Sequence, residues 1–390
     1  MRYDAGMKND SLANAPIALL GGLSVEQFLN EYWQKKPLLV RQAIPGFKGL
    51  LSPDELAGLA CEDDVQSRLV SIKKNRWQVE SGPFDEARFN RLPEQDWTLL
   101  VQGVNHHLPE AAELLQQFAF IPYARLDDLM VSFAPDAGGV GPHFDSYDVF
   151  LLQGEGQRRW RISEQDDLSL VPDAPLRILQ NFVTEQEWVL EPGDMLYLPP
   201  HVAHWGIAVG NAMTYSIGFR APSAQELASE FLNFLQDRLK LTGMYADPGL
   251  QQQVHPAEIG KEMLEQVAGM LNRIRWQSED VTAFLGHYLS EPKPHIVFDA
   301  ADDLDETEFQ ELLTEQGLAL DAKTQMLFHG HTFFINGEQF DVPAAQLAFW
   351  TQFANQRQVG PEWFDDGQLQ DEALLQRLHD WYQAGYVWID

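Results

Sequence analysis

Apolar residues recur along the chain with a helical period in some stretches and a strand period in others, and the switches between them mark its elements. Val25, Phe28, Leu29, Tyr32 and Trp33 follow Ser24 at helical spacing and stop at Lys35-Lys36-Pro37, ahead of a short strand at 38–40. Ser52-Pro53-Asp54-Glu55 has the form of a capping box with proline at the first helical position, opening a helix through Ala60. Strand-like stretches at 69–73 and 77–80 precede two segments, 93–107 and 109–118, whose apolar spacing predicts helices. An apolar strand at 128–133 then leads through Pro135 into Gly138-Gly139-Val140-Gly141-Pro142. Further strands are predicted at 147–153, 158–163, 188–190, 195–198, 206–209 and 215–220, with a tight turn at Gly154-Glu155-Gly156. Many short strands with Gly and Pro turns predict an antiparallel sandwich or barrel, whose mouth is a natural ligand pocket.

Past Arg220 the period becomes helical. Ser223 and Glu226 form another capping box, before Leu227, Phe231, Phe234, Leu235 and Leu239 in a helix ended near Gly243. A second helical region from about Pro256 carries Met263, Leu264, Val267, Met270, Leu271 and Ile274, and Phe284, Leu285 and Tyr288 continue the module. Its apolar faces must cover the barrel or meet a second copy, and a homodimer is the more specific expectation. Glu291-Pro292-Lys293-Pro294 reads as a linker. Helix 305–316, a hairpin of 325–328 and 332–336 with a second turn at Asn336-Gly337, and helices 343–355 and 369–384 ending in 386–388 then follow the order of a winged helix. The expected fold is α+β, in four parts: a flexible tail (1–15), a barrel domain (16–220), a helical dimerisation module (221–290) and an acidic winged-helix domain (291–390).

With 390 residues, 45% of them hydrophobic and 11% aromatic, the chain can bury several cores. Its 27 Lys and Arg against 58 Asp and Glu leave a net charge of −31, which disfavours nucleic acid and anionic membrane and favours a basic partner. From 291 to 390 nineteen acidic residues face four basic ones, so phosphate would repel the winged module and a protein-contact or structural role fits it better. A single cysteine, Cys61, excludes an internal disulfide framework and a Cys-rich zinc site and fits a reducing compartment. The first fourteen residues hold no apolar signal core and no run of eighteen apolar residues occurs, so a soluble, cytoplasmic protein is expected.

The chemistry concentrates between His143 and His204. Residues two apart on a strand share a face, so His143 and Asp145 present an imidazole and a carboxylate side by side. One more histidine would give two His and one carboxylate on one side of a metal, a set that suits non-haem Fe(II) binding a co-substrate and oxygen together. His204 and His201 both follow the strand end at Pro199-Pro200, and spacing does not separate them. Alternation within 158–162 puts Arg158 on the apolar face with Trp160 and Ile162, and Arg159 and Arg161 on the other. A buried arginine needs an anion: a ligand carboxylate or an internal salt bridge. The glycine-rich loop lacks the Lys-Ser/Thr and following helix of a phosphate cradle. His329 and His331 have no carboxylate at matching spacing and read as surface residues.

The stretches GPHFDSYDVFLLQG (141–154), RRWR (158–161), EPGDMLYLPP (191–200) and YSIGFRAP (215–222), with the entry YWQKKPLLVR (32–41), resemble the JmjC/cupin-type ribosomal oxygenases. Among these the chain resembles the bacterial arginine hydroxylases of the sixteenth large-subunit ribosomal protein, and the likeness spans nearly the whole chain. The resemblance implies a double-stranded β-helix using Fe(II), 2-oxoglutarate and O2 to hydroxylate an arginine side chain at Cβ, a basic substrate that suits the chain's charge. By position it implies His143, Asp145 and His204 as metal ligands, Arg158 as partner of the distal carboxylate of 2-oxoglutarate and Ser132 as a co-substrate contact. Thr214 departs from the longer polar residue of some relatives. Competing readings are an oxygenase acting on His, Asn or methyl-lysine of another basic protein, and a non-catalytic cupin scaffold; a halogenase is disfavoured because Asp145 fills the place a halide would need.

Overall fold

The computed structural model describes residues 15–73, 76–299, 301, 303–364 and 371–389; the expected tail, but for residue 15, lies outside them. Ser24 and Ser52 close capping boxes with Gln27 and Glu55, starting helices α1 (Val25–Glu31) and α2 (Pro53–Leu59) on either side of strand β1 (Leu38–Val40). The chain continues through β2 (Ser67–Lys73), β3 (Arg76–Ser81), β4 (Trp97–Val101), helix α3 (Pro109–Gln116) and β5 (Leu126–Ala134). It then runs through β6 (Val149–Ser163), β7 (Gln186–Leu190), β8 (Met195–Leu198) and β9 (Ala203–Phe219). These strands form one antiparallel sheet in the order β1-β8-β6-β9-β5-β4-β2-β3, with β7 beside β6. β6 and β9 pair from Val149↔Gly218 to Ser163↔Ala203, while the first part of β6 also pairs β8 and its second part β7. That double partnership makes the long β6–β9 ladder common to both halves of a cupin-type barrel.

Three expectations are corrected here. The helix over 93–107 is instead β4 and a 3-10 turn at Val104–His106. Thr98, Leu99, Leu100 and Val101 are buried between β2 and β5, and a strand covered on both faces shows a continuous apolar run that a helix would also fit. The tight turn at Gly154–Gly156 is instead a register irregularity inside continuous β6. Gly156 sits at φ +65°, where an added Cβ would overlap the Asn211 carbonyl, and such a bulge bends a strand without reversing it. The strands expected at 206–209 and 215–220 are likewise one strand, bent at Gly210 (φ +67°).

The barrel core is aromatic. Phe28 of α1 lies 5.1 Å from the Tyr197 ring, which lies 4.8 Å from Phe150, so the entry helix is packed into the wall of the barrel. Helices α4 (Ala224–Gln236), α5 (Lys261–Leu271) and α6 (Ser278–Ser290) follow. The first ends at Gln236, short of the expected stop near Gly243, and Leu232, Met263, Leu264, Leu271 and Trp276 remain exposed. The last part comprises α7 (Glu306–Gln316), β10 (Leu318–Leu320), the meander β11 (Met326–His329), β12 (Thr332–Ile335) and β13 (Glu338–Asp341), then α8 (Leu347–Gln356), β14 (Gln358–Val359), α9 (Glu372–Gln383) and β15 (Val387–Trp388). Of the helix expected over 369–384, residues 369 and 370 lie outside the described residues. Phe333, Phe349, Trp350, Phe353 and Leu378 form this part's own core. No helix among the described residues is long and apolar enough to cross a membrane.

Candidate active site and metal centre

The glycine loop brings two distant histidines together. An added Cβ at Gly139 would overlap the Gly206 carbonyl, so this loop lies directly against β9. There His143 and His204 pair as an isolated bridge, with backbone hydrogen bonds of 2.9 and 2.7 Å and ring centroids 4.2 Å apart. Asp145 Oδ2 lies 3.6 Å from His204 Nε2, and one ligand atom from each of the three residues lies within 4.8 Å of the others. Donors about 2.1 Å from one ion are mutually about 3 Å apart, so this group needs little movement to close on a metal.

Second contacts orient the imidazoles. His143 Nδ1 lies 2.9 Å from the Gly141 carbonyl, and His204 Nδ1 lies 2.9 Å from that of Val202. A carbonyl only accepts, so each Nδ1 carries the proton and each Nε2 presents a lone pair. Burial, reinforced by neighbouring His143, lowers the pKa of His204 to about 4, which leaves the ring neutral at pH 7. His201 faces elsewhere: it is exposed, sits at φ +67° in the corner after Pro200, and packs its ring 5.9 Å from Phe144. His329 and His331 are exposed on the β11–β12 hairpin.

Arg158 is 4% exposed, with Trp160 and Ile162 buried on the same face of β6, whereas Arg159 and Arg161 reach Glu187 on the other. Nε and Nη2 of Arg158 have no hydrogen-bond partner among the described residues, and burial lowers its pKa to about 10. The internal salt bridge is therefore absent among the described residues, and the guanidinium is built to receive an anion. Arg158 lines one cavity of about 510 Å³ with His143, Asp145 and His204. Ser132 lines it too, opposite Thr214 in the β5–β9 ladder; Thr214 donates to Gln153 Oε1 at 3.1 Å. Three metal-ligating side chains and an unpartnered guanidinium in one cavity suit a metal and a small carboxylate ligand.

The family models find the same two parts: a JmjC domain over residues 113–227 and a ROXA-like winged helix over 273–387. The ribosomal protein uL16 3-hydroxylase of Escherichia coli is 36% identical over 372 residues, covering 93% of this chain and 97% of that protein. The chain belongs to the JmjC ribosomal oxygenases. A probable ribosomal oxygenase of Haemophilus influenzae is 40% identical over 56% of this chain and 54% of its own length. The solved structure of the Escherichia coli ribosomal oxygenase YcfD with cobalt and 2-oxoglutarate superposes with a TM-score of 0.81 at 35% identity, over 94% of this chain and 98% of that one.

Sequence reasoning missed several polar groups of this oxygenase's cavity. Thr98 is buried, lines the cavity, and its hydroxyl has no hydrogen-bond partner among the described residues. Asp127 and Asp128 line the cavity from the start of β5, as do Gln102, Tyr147 and Ser216. Burial raises the carboxyl pKa of Asp128 and adjacent Asp127 adds to it. An acidic doublet inside an apolar strand was the available signal; Thr98 gave none, because its segment reads as a helix.

Proposed function

We infer that the chain hydroxylates an arginine side chain, at Cβ, of a basic large-subunit ribosomal protein, using Fe(II), 2-oxoglutarate and O2. The observation that carries this is the pairing, in one cavity, of a His/Asp/His group with a buried arginine whose donors lack an acceptor. His143, Asp145 and His204 would hold the iron, and Arg158 would take the distal carboxylate of 2-oxoglutarate, with the Ser132 hydroxyl beside it. Bound together, iron and 2-oxoglutarate supply the oxidising power of O2 as the oxo acid decarboxylates to succinate.

The residues supply the rest. Nδ1–H contacts to Gly141 and Val202 hold both imidazoles in the ligating tautomer. The Arg158 fork fixes the co-substrate at one end, which settles which end meets the metal. Trp160, 5.9 Å from the His204 ring, and Val149 and Leu151 line the interior and exclude water from it. Asp128 offers a carboxylate to a substrate guanidinium, and the net charge of −31 draws a basic protein toward the mouth.

The parts at 16–220, 221–290 and 291–390 then act as oxygenase domain, dimerisation module and acidic winged helix, in a cytoplasmic homodimer that does not bind nucleic acid. Exposed Leu232, Met263, Leu264, Leu271 and Trp276 on the helical module support a second copy as its cover. The test is incubation of the purified protein with Fe(II), 2-oxoglutarate and large-subunit ribosomal proteins, followed by fragmentation mass spectrometry. One oxygen added to an arginine Cβ is expected; oxygen on His or Asn, or loss of a lysine methyl, would replace the substrate assignment.

A further inference from the structure

The linker from α6 into the C-terminal part lies against the rim of the active-site cavity. Lys293 Nζ stands 2.8 Å from Asp127 Oδ1, and Arg220, just past β9, brings its Nε to 3.5 Å from the same oxygen. The linker is tied down on both sides of Lys293. Arg220 Nη1 donates to the Leu289 carbonyl at 2.7 Å, Gln66 Nε2 meets His295 Nδ1 at 3.1 Å, and Lys323 Nζ donates to the Val297 carbonyl at 2.8 Å. Asp128, the next residue, is placed differently. It accepts from two neutral donors, Gln102 Nε2 at 3.1 Å and the Gly103 amide at 3.0 Å, and Gln102 is itself held by Arg68 at 2.8 Å.

We propose that Lys293 is a positioning residue for substrate recognition: as the nearer of two cations on Asp127, beside Arg220, it leaves Asp128 as the carboxylate of this doublet that receives the substrate's cation. The proposal rests on the arginine reading given above. Two adjacent carboxylates without a counter-charge disfavour each other's ionised form, and a protonated Asp128 cannot form a charge-assisted pair with a guanidinium. The charged and titratable groups around Asp128 are Asp127, Lys293 and His295, with Arg220 on Asp127, Arg68 behind Gln102 and Tyr147 across the cavity. Burial pushes the Asp128 carboxyl pKa up most, Asp127 adds to that, and Lys293 pulls it down. The device places the electrostatic setting of the substrate pocket on the segment that leads into the winged helix.

The experiment is steady-state kinetics of the Fe(II)- and 2-oxoglutarate-loaded enzyme on its basic ribosomal protein between pH 6 and 8. It compares wild type, Lys293→Met, Lys293→Arg and the double variant Asp127→Asn/Lys293→Met. Lys293→Met is expected to raise the substrate KM about tenfold at the acid end and to move the acid limb of kcat/KM up by about one pH unit. It should leave kcat and the KM for 2-oxoglutarate alone. Lys293→Arg keeps the charge and should restore the profile, as should removing the Asp127 charge in the double variant. An unchanged substrate KM and pH profile in Lys293→Met overturns the proposal, as does a joint loss of kcat and both KM values that neither rescue repairs. If wild type leaves arginine untouched, the underlying substrate reading fails, and the proposal with it.

Discussion

Arg158 in the barrel and Arg357 in the winged helix are both arginines in low-dielectric surroundings, and in both burial lowers the pKa. Arg357 follows α8 at φ +61°, and its Nη2 donates to the carbonyls of Asp321 and Thr324 at 2.8 and 2.9 Å. Its positive charge ties the turn after β10 to the end of a helix. Arg158 has two nitrogens without any acceptor among the described residues. A buried polar group left unpartnered costs about 1–3 kcal/mol, more when charged, so such a site persists where something else completes it. The contrast separates two uses of a buried charge: the donors of one arginine are taken up by the fold, and those of the other stand open in the cavity.

The largest effect should come from the metal group. His143→Ala or Asp145→Ala removes one of three donors, and Fe(II)-dependent succinate release should fall to background while the fold, read by circular dichroism, persists; retained turnover in either variant would remove the ligand assignment. The arginines come next and test the contrast directly. Arg158→Met should raise the KM for 2-oxoglutarate about a hundredfold, the order of 3 kcal/mol for losing one partner of a buried charged pair. Without co-substrate the same variant should melt no lower than wild type, because it removes an uncompensated charge. Arg357→Met should do the reverse: about 1–3 kcal/mol lost in urea unfolding, since two carbonyls lose their donor, with the KM for 2-oxoglutarate unchanged. Were the two variants to behave alike, the distinction between them would collapse.

Strand parity placed Arg158, Trp160 and Ile162 inward, because a strand with one covered face alternates strictly. The capping boxes at Ser52 and Ser223, and Ser24 ahead of its apolar run, began their helices, because these signals are local. What alternation could not show was a strand covered on both faces, so β4 read as a helix and took Thr98 out of consideration. Nor could it show a strand shared between two halves of a barrel, where Gly156 bends β6 without ending it. At the site, the triad's proximity depends on a bridge between residues sixty-one positions apart, and local spacing left His201 equal to His204. The φ +67° corner that turns His201 away is a tertiary feature.

His106 gives the smallest effect and a third way of burying a cationic group, which is to keep it neutral. Burial, then His107, Lys293, His295 and Lys323, lower its pKa to about 3 from a usual 6.5. Between those values the unfolded chain binds a proton that the folded chain refuses, so the neutral ring's contribution is complete above pH 6.5 and is lost as pH falls toward 3. One such proton steepens the fall in stability by up to about 1.4 kcal/mol per pH unit. His106→Phe keeps an aromatic ring and cannot titrate. Urea unfolding of wild type and variant at pH 7 and pH 5 should therefore show wild type losing up to about 2 kcal/mol more than the variant over that interval. Carboxylates that titrate in both proteins cancel in the difference. An equal loss in the two would mean that His106 takes up its proton in the folded state, against the cations that surround it.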